Sequence, residues 1–210
     1  MLKRLVVLSA LLVGCVTASR ADSISGFFSA TGTDIFTPNT ITFNSAQVAG
    51  ALGGTFATYL ADGNTINFIP GPLPYNQGNN VPPPAMFPAG YVPLFTVSNN
   101  GVTFTFNMTD YNAGYVNNGT NGCLTGQTCL GVTGDGFFTA SGAITGTSGN
   151  ATFQFTSQYV AGQPLGSMTS FSASTAAAAA PAVPEPASLA LFGSGLLGVV
   201  GMARRKLTAS

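Results

Sequence analysis

Residues 102–108 read Val-Thr-Phe-Thr-Phe-Asn-Met, and this stretch decides the fold class. Apolar and polar residues alternate strictly. A strand places successive side chains on opposite faces. Val102, Phe104, Phe106 and Met108 therefore share one face, and Thr103, Thr105 and Asn107 share the other. A helix would scatter the same residues around its circumference. The segment Ala151-Thr-Phe-Gln-Phe-Thr-Ser-Gln158 repeats the pattern, with Phe153 and Phe155 on one face. Shorter alternations begin at Ile41 and Thr65, and further strand candidates are 23–30, 54–60, 92–97, 136–144 and 168–172. Turn-forming residues separate them: Asp62-Gly63, Asn99-Asn100-Gly101 and Ser148-Gly149-Asn150. Hairpins are expected around the last two.

The wider composition agrees. The middle of the chain is rich in Gly, Thr, Ser, Asn and Phe and poor in Leu, Glu and Lys. Such residues favour strands and turns over helices. Eight to ten short strands, each with one apolar face, predict an all-β, antiparallel β-sandwich or jelly-roll with a phenylalanine core. Residues 70–93 interrupt this rhythm with eight of the 13 prolines and predict a long surface loop.

Charge placement narrows the function. Lys3, Arg4, Arg20, Arg204, Arg205 and Lys206 are the six basic residues, all near the ends, and the chain has no His. Between Arg20 and Arg204 nothing can neutralise a phosphate. This excludes nucleic-acid binding and leaves phosphoryl transfer without its usual cations. The commonest general base and metal ligand is missing too. The sequence predicts no catalytic residue, no metal and no cofactor. A hydrolase remains conceivable only if two of Asp34, Asp62, Asp110 and Asp135 converge in a cleft. A carbohydrate-binding module is a further alternative. Tyr75, Tyr91, Tyr111 and Tyr115 would be its stacking candidates, while a flat Thr-rich face would instead suit ice.

The two ends read as addresses. Lys3 and Arg4 precede an apolar run from Leu5 to Val16, and Ser19-Arg20-Ala21 supplies the small residues of a secretory cleavage site. Signal peptidase is expected to cut after Ala21, giving a signal peptide at 1–21, with a cut after Ala18 as a competitor. Leu12-Val13-Gly14-Cys15 also resembles a bacterial lipobox, which would lipidate Cys15. At the other end, 187–203 is uncharged and carries four glycines. As a helix it spans roughly 26 Å, on the short side for a bilayer. Arg204, Arg205 and Lys206 follow and mark the cytoplasmic side, leaving 207–210 as a cytoplasmic tail.

Val183-Pro184-Glu185-Pro186, a short glycine-rich apolar helix and Arg204-Arg205-Lys206 occur in that order. This arrangement resembles the PEP-CTERM sorting signal of exported Gram-negative bacterial proteins, here at 184–206. The resemblance implies recognition of Pro184-Glu185-Pro186 by an exosortase, a membrane-embedded cysteine protease. It also implies transient anchoring in the inner membrane, then cleavage and transfer to the surface or the extracellular space. Such proteins often come from producers of exopolysaccharide or biofilm matrix, so exopolysaccharide is an expected partner. A name used for the same tail refers to ice-binding proteins, but it describes the tail alone.

The expected organisation is therefore an exported β-domain at 22–171, an Ala/Ser/Pro linker at 172–183 and the sorting signal. Cys123 and Cys129 lie in a Gly/Thr-rich loop. Export to an oxidising compartment predicts a disulfide between them, worth roughly 2 kcal/mol. The leading expectation is a non-enzymatic surface or extracellular-matrix protein.

Overall fold

The computed structural model describes residues 23–68, 71–74, 90–117, 125, 128–159, 166–181 and 194–195. Among the described residues nine strands and a short helix follow in the order β1 (Gly26–Phe36), β2 (Thr40–Gly53), α1 (Gly54–Tyr59), β3 (Ile66–Phe68), β4 (Leu73–Pro74), β5 (Val92–Asn99), β6 (Val102–Asn117), β7 (Thr128–Gly142), β8 (Gly146–Tyr159) and β9 (Met168–Ala179). The fold is all-β and antiparallel, as the alternation predicts. All nine strands belong to one continuous sheet, ordered β3-β5-β6-β7-β8-β9-β1-β2-β4. The core lies between facing walls, and both walls are parts of this one curled sheet.

The sheet curls far enough for its ends to meet. Gln47 of β2 and Thr65, just before β3, form an isolated antiparallel bridge. Next to it, the Val48 N–H donates to the Asn64 carbonyl at 2.8 Å, and the Gly63 N–H donates to the Val48 carbonyl at 2.8 Å. On the inner side, the Phe43 and Phe68 rings stack at 3.8 Å and 9°. Bulges contribute to the curl. Register shifts occur at Thr33/Asp34 in β1, Met108/Asp110 in β6, Gly136/Thr139 in β7 and Ser148/Ala151 in β8. Each extra residue bends its strand and raises the local twist.

The opening heptapeptide behaves as expected. Val102, Phe104, Phe106 and Met108 are all buried, and the β5–β6 hairpin turns at Asn100 and Gly101. Both turn residues have positive φ, 50° and 73°, which Asn and Gly adopt at least cost. Phe28, Phe56, Phe95, Phe104, Phe106, Phe138 and Phe155 are among the largest fully buried side chains. Their rings meet mostly edge-to-face, as their quadrupoles favour.

Three local expectations are corrected. Residues 54–60 read as a strand candidate, yet Gly54–Tyr59 forms α1. Gly54 has φ +63°, which turns the chain off β2. The helix then drops Phe56 against Phe28, Phe104 and Phe138 at centroid distances of 5.1, 5.1 and 4.8 Å. Its end is held from outside: Asn99 and Asn100 both donate side-chain amides to the Tyr59 carbonyl, at 2.8 and 3.1 Å. Ser148-Gly149-Asn150 is a bulge inside β8 rather than a turn. The hairpin reverses earlier, where Ala140 pairs with Gly146. Finally, β9 runs through Ala179, so 172–179 is strand and the linker expected at 172–183 starts later. Phe171, Ala173, Thr175 and Ala177 point inward, and Ser172, Ser174 and Ala176 point outward. Alanine suits this strand because the facing phenylalanines already fill the space. The contiguous compact unit accordingly extends over Ala21–Ala180.

Of the 70–93 segment, Leu73–Pro74 forms a two-residue edge strand on β2, and the rest up to residue 89 is mostly outside the described residues. Proline at an edge costs no ladder bond.

Phe56→Ala removes the ring on which three others converge. It should lower unfolding free energy by about 3–5 kcal/mol. Denaturant titration of the variant and the parent checks this.

Candidate functional site

Most of the residues singled out by the sequence lie outside the described residues. These are Ala21, Cys15, Cys123, Val183, Pro184, Glu185, Pro186, Arg204, Arg205 and Lys206, together with most of the apolar stretch 187–203. Among the described residues no helix is long and apolar enough to cross a membrane. Cys129 is described and is completely buried near the start of β7.

The four aspartates separate by environment. Asp62 sits in the exposed turn before β3, where its carboxylate accepts the Gly50 N–H at 3.1 Å. Asn64 similarly accepts the Ala61 N–H at 2.7 Å. This is the turn chemistry expected of Asp62-Gly63-Asn64. Asp110 and Asp135 are direct partners across β6 and β7 and are both exposed. They stand on the outer face of the sheet, where opposed like charges oppose folding mildly. Asp110 and Asn112 are both residues of β6. Asp34 is entirely buried. The four carboxylates do not share a cleft. Among the described residues no group of three or more His, Cys, Asp or Glu is placed to hold a metal.

Of the four tyrosine candidates, the two whose side chains are described, Tyr91 and Tyr111, do not form a common platform. Tyr91 is exposed, with its ring edge-to-face on Phe137 at 5.2 Å. Tyr111 is buried, and its hydroxyl donates to the Pro74 carbonyl, tying β6 to β4. Tyr75 lies outside the described residues, and Tyr115 contributes backbone to β6.

Asp34 is the most unusual group in the domain. The alternation Phe28-Ala30-Gly32-Asp34-Phe36 places it on the inward face of β1. Ser157 follows Phe153 and Phe155 inward on β8, and Thr169 precedes Phe171 inward on β9. The Ser157 hydroxyl donates to Asp34 Oδ1 at 2.8 Å. The Thr169 hydroxyl lies 3.0 Å from the same oxygen and 2.7 Å from Ser157 Oγ. Two hydroxyl protons cannot fill all three contacts. Asp34 Oδ2 is buried with no hydrogen-bond partner. Burial outweighs the opposing hydrogen bonds from Ser157 and Thr169, so the carboxyl is raised from 3.8 to about 6. Parity alone could have placed each of the three inward, because all occupy inward positions beside phenylalanines, but not their meeting.

A second feature lies close by. The gap between β2 and β3 encloses about 580 Å³, lined by Thr31, Thr33, Asn44, Ser45, Gln47, Thr65 and Asn67 and floored by Phe43, Ile66 and Phe68. Gly32 also lines it. A Cβ there would come within 2.1 Å of the Ser45 carbonyl and 2.7 Å of the Phe171 ring. Glycine is required at that point for the strands and the ring to fit together.

Residues 182–206 match the family model of the PEP-CTERM protein-sorting motif. The chain therefore carries this sorting motif near its C-terminus, as the order of its three parts indicated. The motif implies an exported protein that is anchored at a membrane during sorting, processed by an exosortase and then released to the surface. No curated protein and no solved structure matched the chain.

The pH dependence of stability isolates Asp34. Its folded-state pKa is raised, so the folded protein binds the proton more tightly than the unfolded chain does. The resulting stability is fully present below pH 4 or so and is lost as pH rises through about 6. A shift from 3.8 to about 6 corresponds to about 3 kcal/mol. Asp34→Asn should flatten this decline between pH 4 and pH 7 in denaturant titrations. An unchanged decline would assign it to other groups.

Proposed function

We propose that the protein is a non-enzymatic surface or extracellular-matrix protein whose β-domain is the cargo of its sorting tail. The single observation that carries this reading is the match of 182–206 to the sorting motif. The exported domain supports it through its chemistry. Between Arg20 and Arg204 there is no Lys, Arg or His, and the one strongly perturbed carboxyl among the described residues, Asp34, is sealed inside the sheet. A buried acid without access to solvent is poorly placed to attack or protonate a substrate. In this reading signal peptidase acts at Ala21. The helix at 187–203 then holds the protein in the inner membrane, with Arg204, Arg205 and Lys206 on the cytoplasmic side, until an exosortase acts at Pro184-Glu185-Pro186. Cys123 and Cys129 close a disulfide after export.

Carbohydrate binding is the second reading, with exopolysaccharide as the partner. The cleft between β2 and β3 favours it. Ice binding is less well supported. Hydroxyl side chains such as Thr31, Ser172, Ser174 and Thr152 cover the outside of neighbouring strands, but the sheet presenting them is curled rather than flat.

Replacing Pro184-Glu185-Pro186 by three alanines should leave a longer, membrane-fractionating form in cells, seen on an immunoblot. Release of the variant at the parental rate would defeat the sorting reading. Mass spectrometry of the mature protein should find Asp22 at its N-terminus and, without reduction, peptides of Cys123 and Cys129 linked together. A lipidated Cys15 would show lipobox processing instead.

A further inference from the structure

The cleft between β2 and β3 is left unexplained by sorting. Beyond the Gln47–Thr65 bridge the two strands diverge. From Thr42 to Ala46, β2 pairs with β1 alone, until Thr40 and Ile41 meet β4. On the opposite side, β3 pairs with β5 alone among the described residues. Two strand edges thus border one cavity, and among the described residues neither has a strand beside it there. Edge strands are commonly guarded by charges or proline. Thr42 to Ala46 and Ile66 to Phe68 contain neither.

We propose that this cleft binds a neutral polyhydroxylated ligand, a short segment of an uncharged polysaccharide. The rim supplies the first argument. Thr31, Thr33, Asn44, Ser45, Gln47, Thr65 and Asn67 are all hydroxyls or amides. Thr31 donates its proton to the Phe171 carbonyl and Thr33 and Ser45 hydrogen-bond each other, which leaves Asn44, Gln47, Thr65 and Asn67 as groups that can both donate and accept. A sugar hydroxyl makes the same double demand. Main-chain N–H and C=O groups along the two free edges add fixed donors and acceptors. The floor supplies the second argument. Ile66 and the stacked Phe43 and Phe68 rings offer an apolar base against which the C–H groups of a sugar ring can desolvate.

Charge supplies the third argument. Among the described residues no ionisable side chain lines the cleft. An anionic or cationic ligand would lose hydration there and find no counter-charge. Asp34 does not alter this, because it is fully buried and engaged with Ser157 and Thr169. At about 580 Å³ the volume falls within the usual range for small-ligand sites, about 300–1,000 Å³.

An extended peptide fits less well. Strand addition draws its affinity from a run of ladder bonds along an open edge. Here β3 spans three residues, and the wedge closes at Thr65, so few ladder positions exist. The density of side-chain hydroxyls and amides suits a ligand read by its own hydroxyls.

This inference deepens the carbohydrate reading of the same domain and is separable from sorting. The test uses the full chain, purified in a zwitterionic detergent without a sugar headgroup. The probes are neutral tetrasaccharides of β-1,4-glucan, β-1,3-glucan, xylan and mannan, an oligogalacturonate as the anionic control, and an uncharged Ser/Thr/Ala peptide. Saturation-transfer NMR and calorimetry read binding. At least one neutral tetrasaccharide should bind saturably and better than either control. Asn67→Leu and Gln47→Leu should each weaken it about three- to tenfold, with no fall in unfolding midpoint. Gln154→Leu, on the outer face of β8, should change nothing. The proposal is overturned if no neutral saccharide binds, if the rim variants bind like the parent, or if the anion or the peptide binds better. Surface delivery of the same variants, scored in cells, tells the two readings apart: loss of binding with normal delivery touches the cleft alone.

Discussion

Phe43 and Phe68 stack at 3.8 Å across the two ends of one sheet, and the rest of the fold depends on that closure. A single antiparallel sheet has two faces, and this one carries phenylalanine along one of them. Burying that face requires either a second layer or a curl. The chain has no long helix among its described residues to serve as a layer, so the sheet wraps its own apolar face. Once wrapped, β2 and β3 meet although six other strands separate them in the hydrogen-bonded order. The Gln47–Thr65 bridge, the Val48–Asn64 and Gly63–Val48 backbone hydrogen bonds and the ring stack hold the join. Where the join is incomplete, a cleft remains.

The same closure explains the interior. Wrapped strands converge, so inward positions cannot all be large. Ala30, Ala113, Ala140, Ala151, Ala173 and Ala177 lie buried among the phenylalanines and give the rings room. Close packing of this kind leaves little tolerance for added or removed volume. It also makes Asp34 conspicuous. A carboxyl with one orphan oxygen inside an aromatic core costs stability when ionised, and its two hydroxyl partners recover only part of that cost. The cluster joins β1, β8 and β9 at one point. A hydrogen-bonded group of this kind restricts strand register more tightly than an apolar contact would.

Much of this was legible beforehand. Strict alternation at Val102–Met108 and around Phe153 and Phe155 gave the right faces, because period two belongs to strands alone. Asn100-Gly101 gave the right turn, because positive φ at two successive residues selects those types. Errors arose where local signals were ambiguous. Gly54–Leu60 contains β-branched and aromatic residues, yet tertiary space around Phe28 and Phe138 turned it into a helix. Ser148-Gly149-Asn150 has turn composition, but the same residues can form a bulge, and the neighbouring strand decided between them. Residues 172–179 have linker composition, yet their inward alanines fit a core too crowded for anything larger. The Asp34 cluster could be placed inward by parity, but its partners come from strands more than 120 residues away. Parity cannot say which inward residues meet.

The sequence by itself determined the all-β class, the inward faces of Val102–Met108 and of the segment around Phe153 and Phe155, and the sorting tail. Each of these rests on local order: alternation, turn residues, and a motif followed by apolar and basic segments. Tertiary structure alone decided that the strands form one curled sheet, that Asp34 joins Ser157 and Thr169, and that β2 and β3 leave a cleft. Those outcomes depend on which distant strands pair and how far the sheet bends. Pairing is set by the summed packing of side chains from the whole domain, and no short stretch of sequence contains that sum.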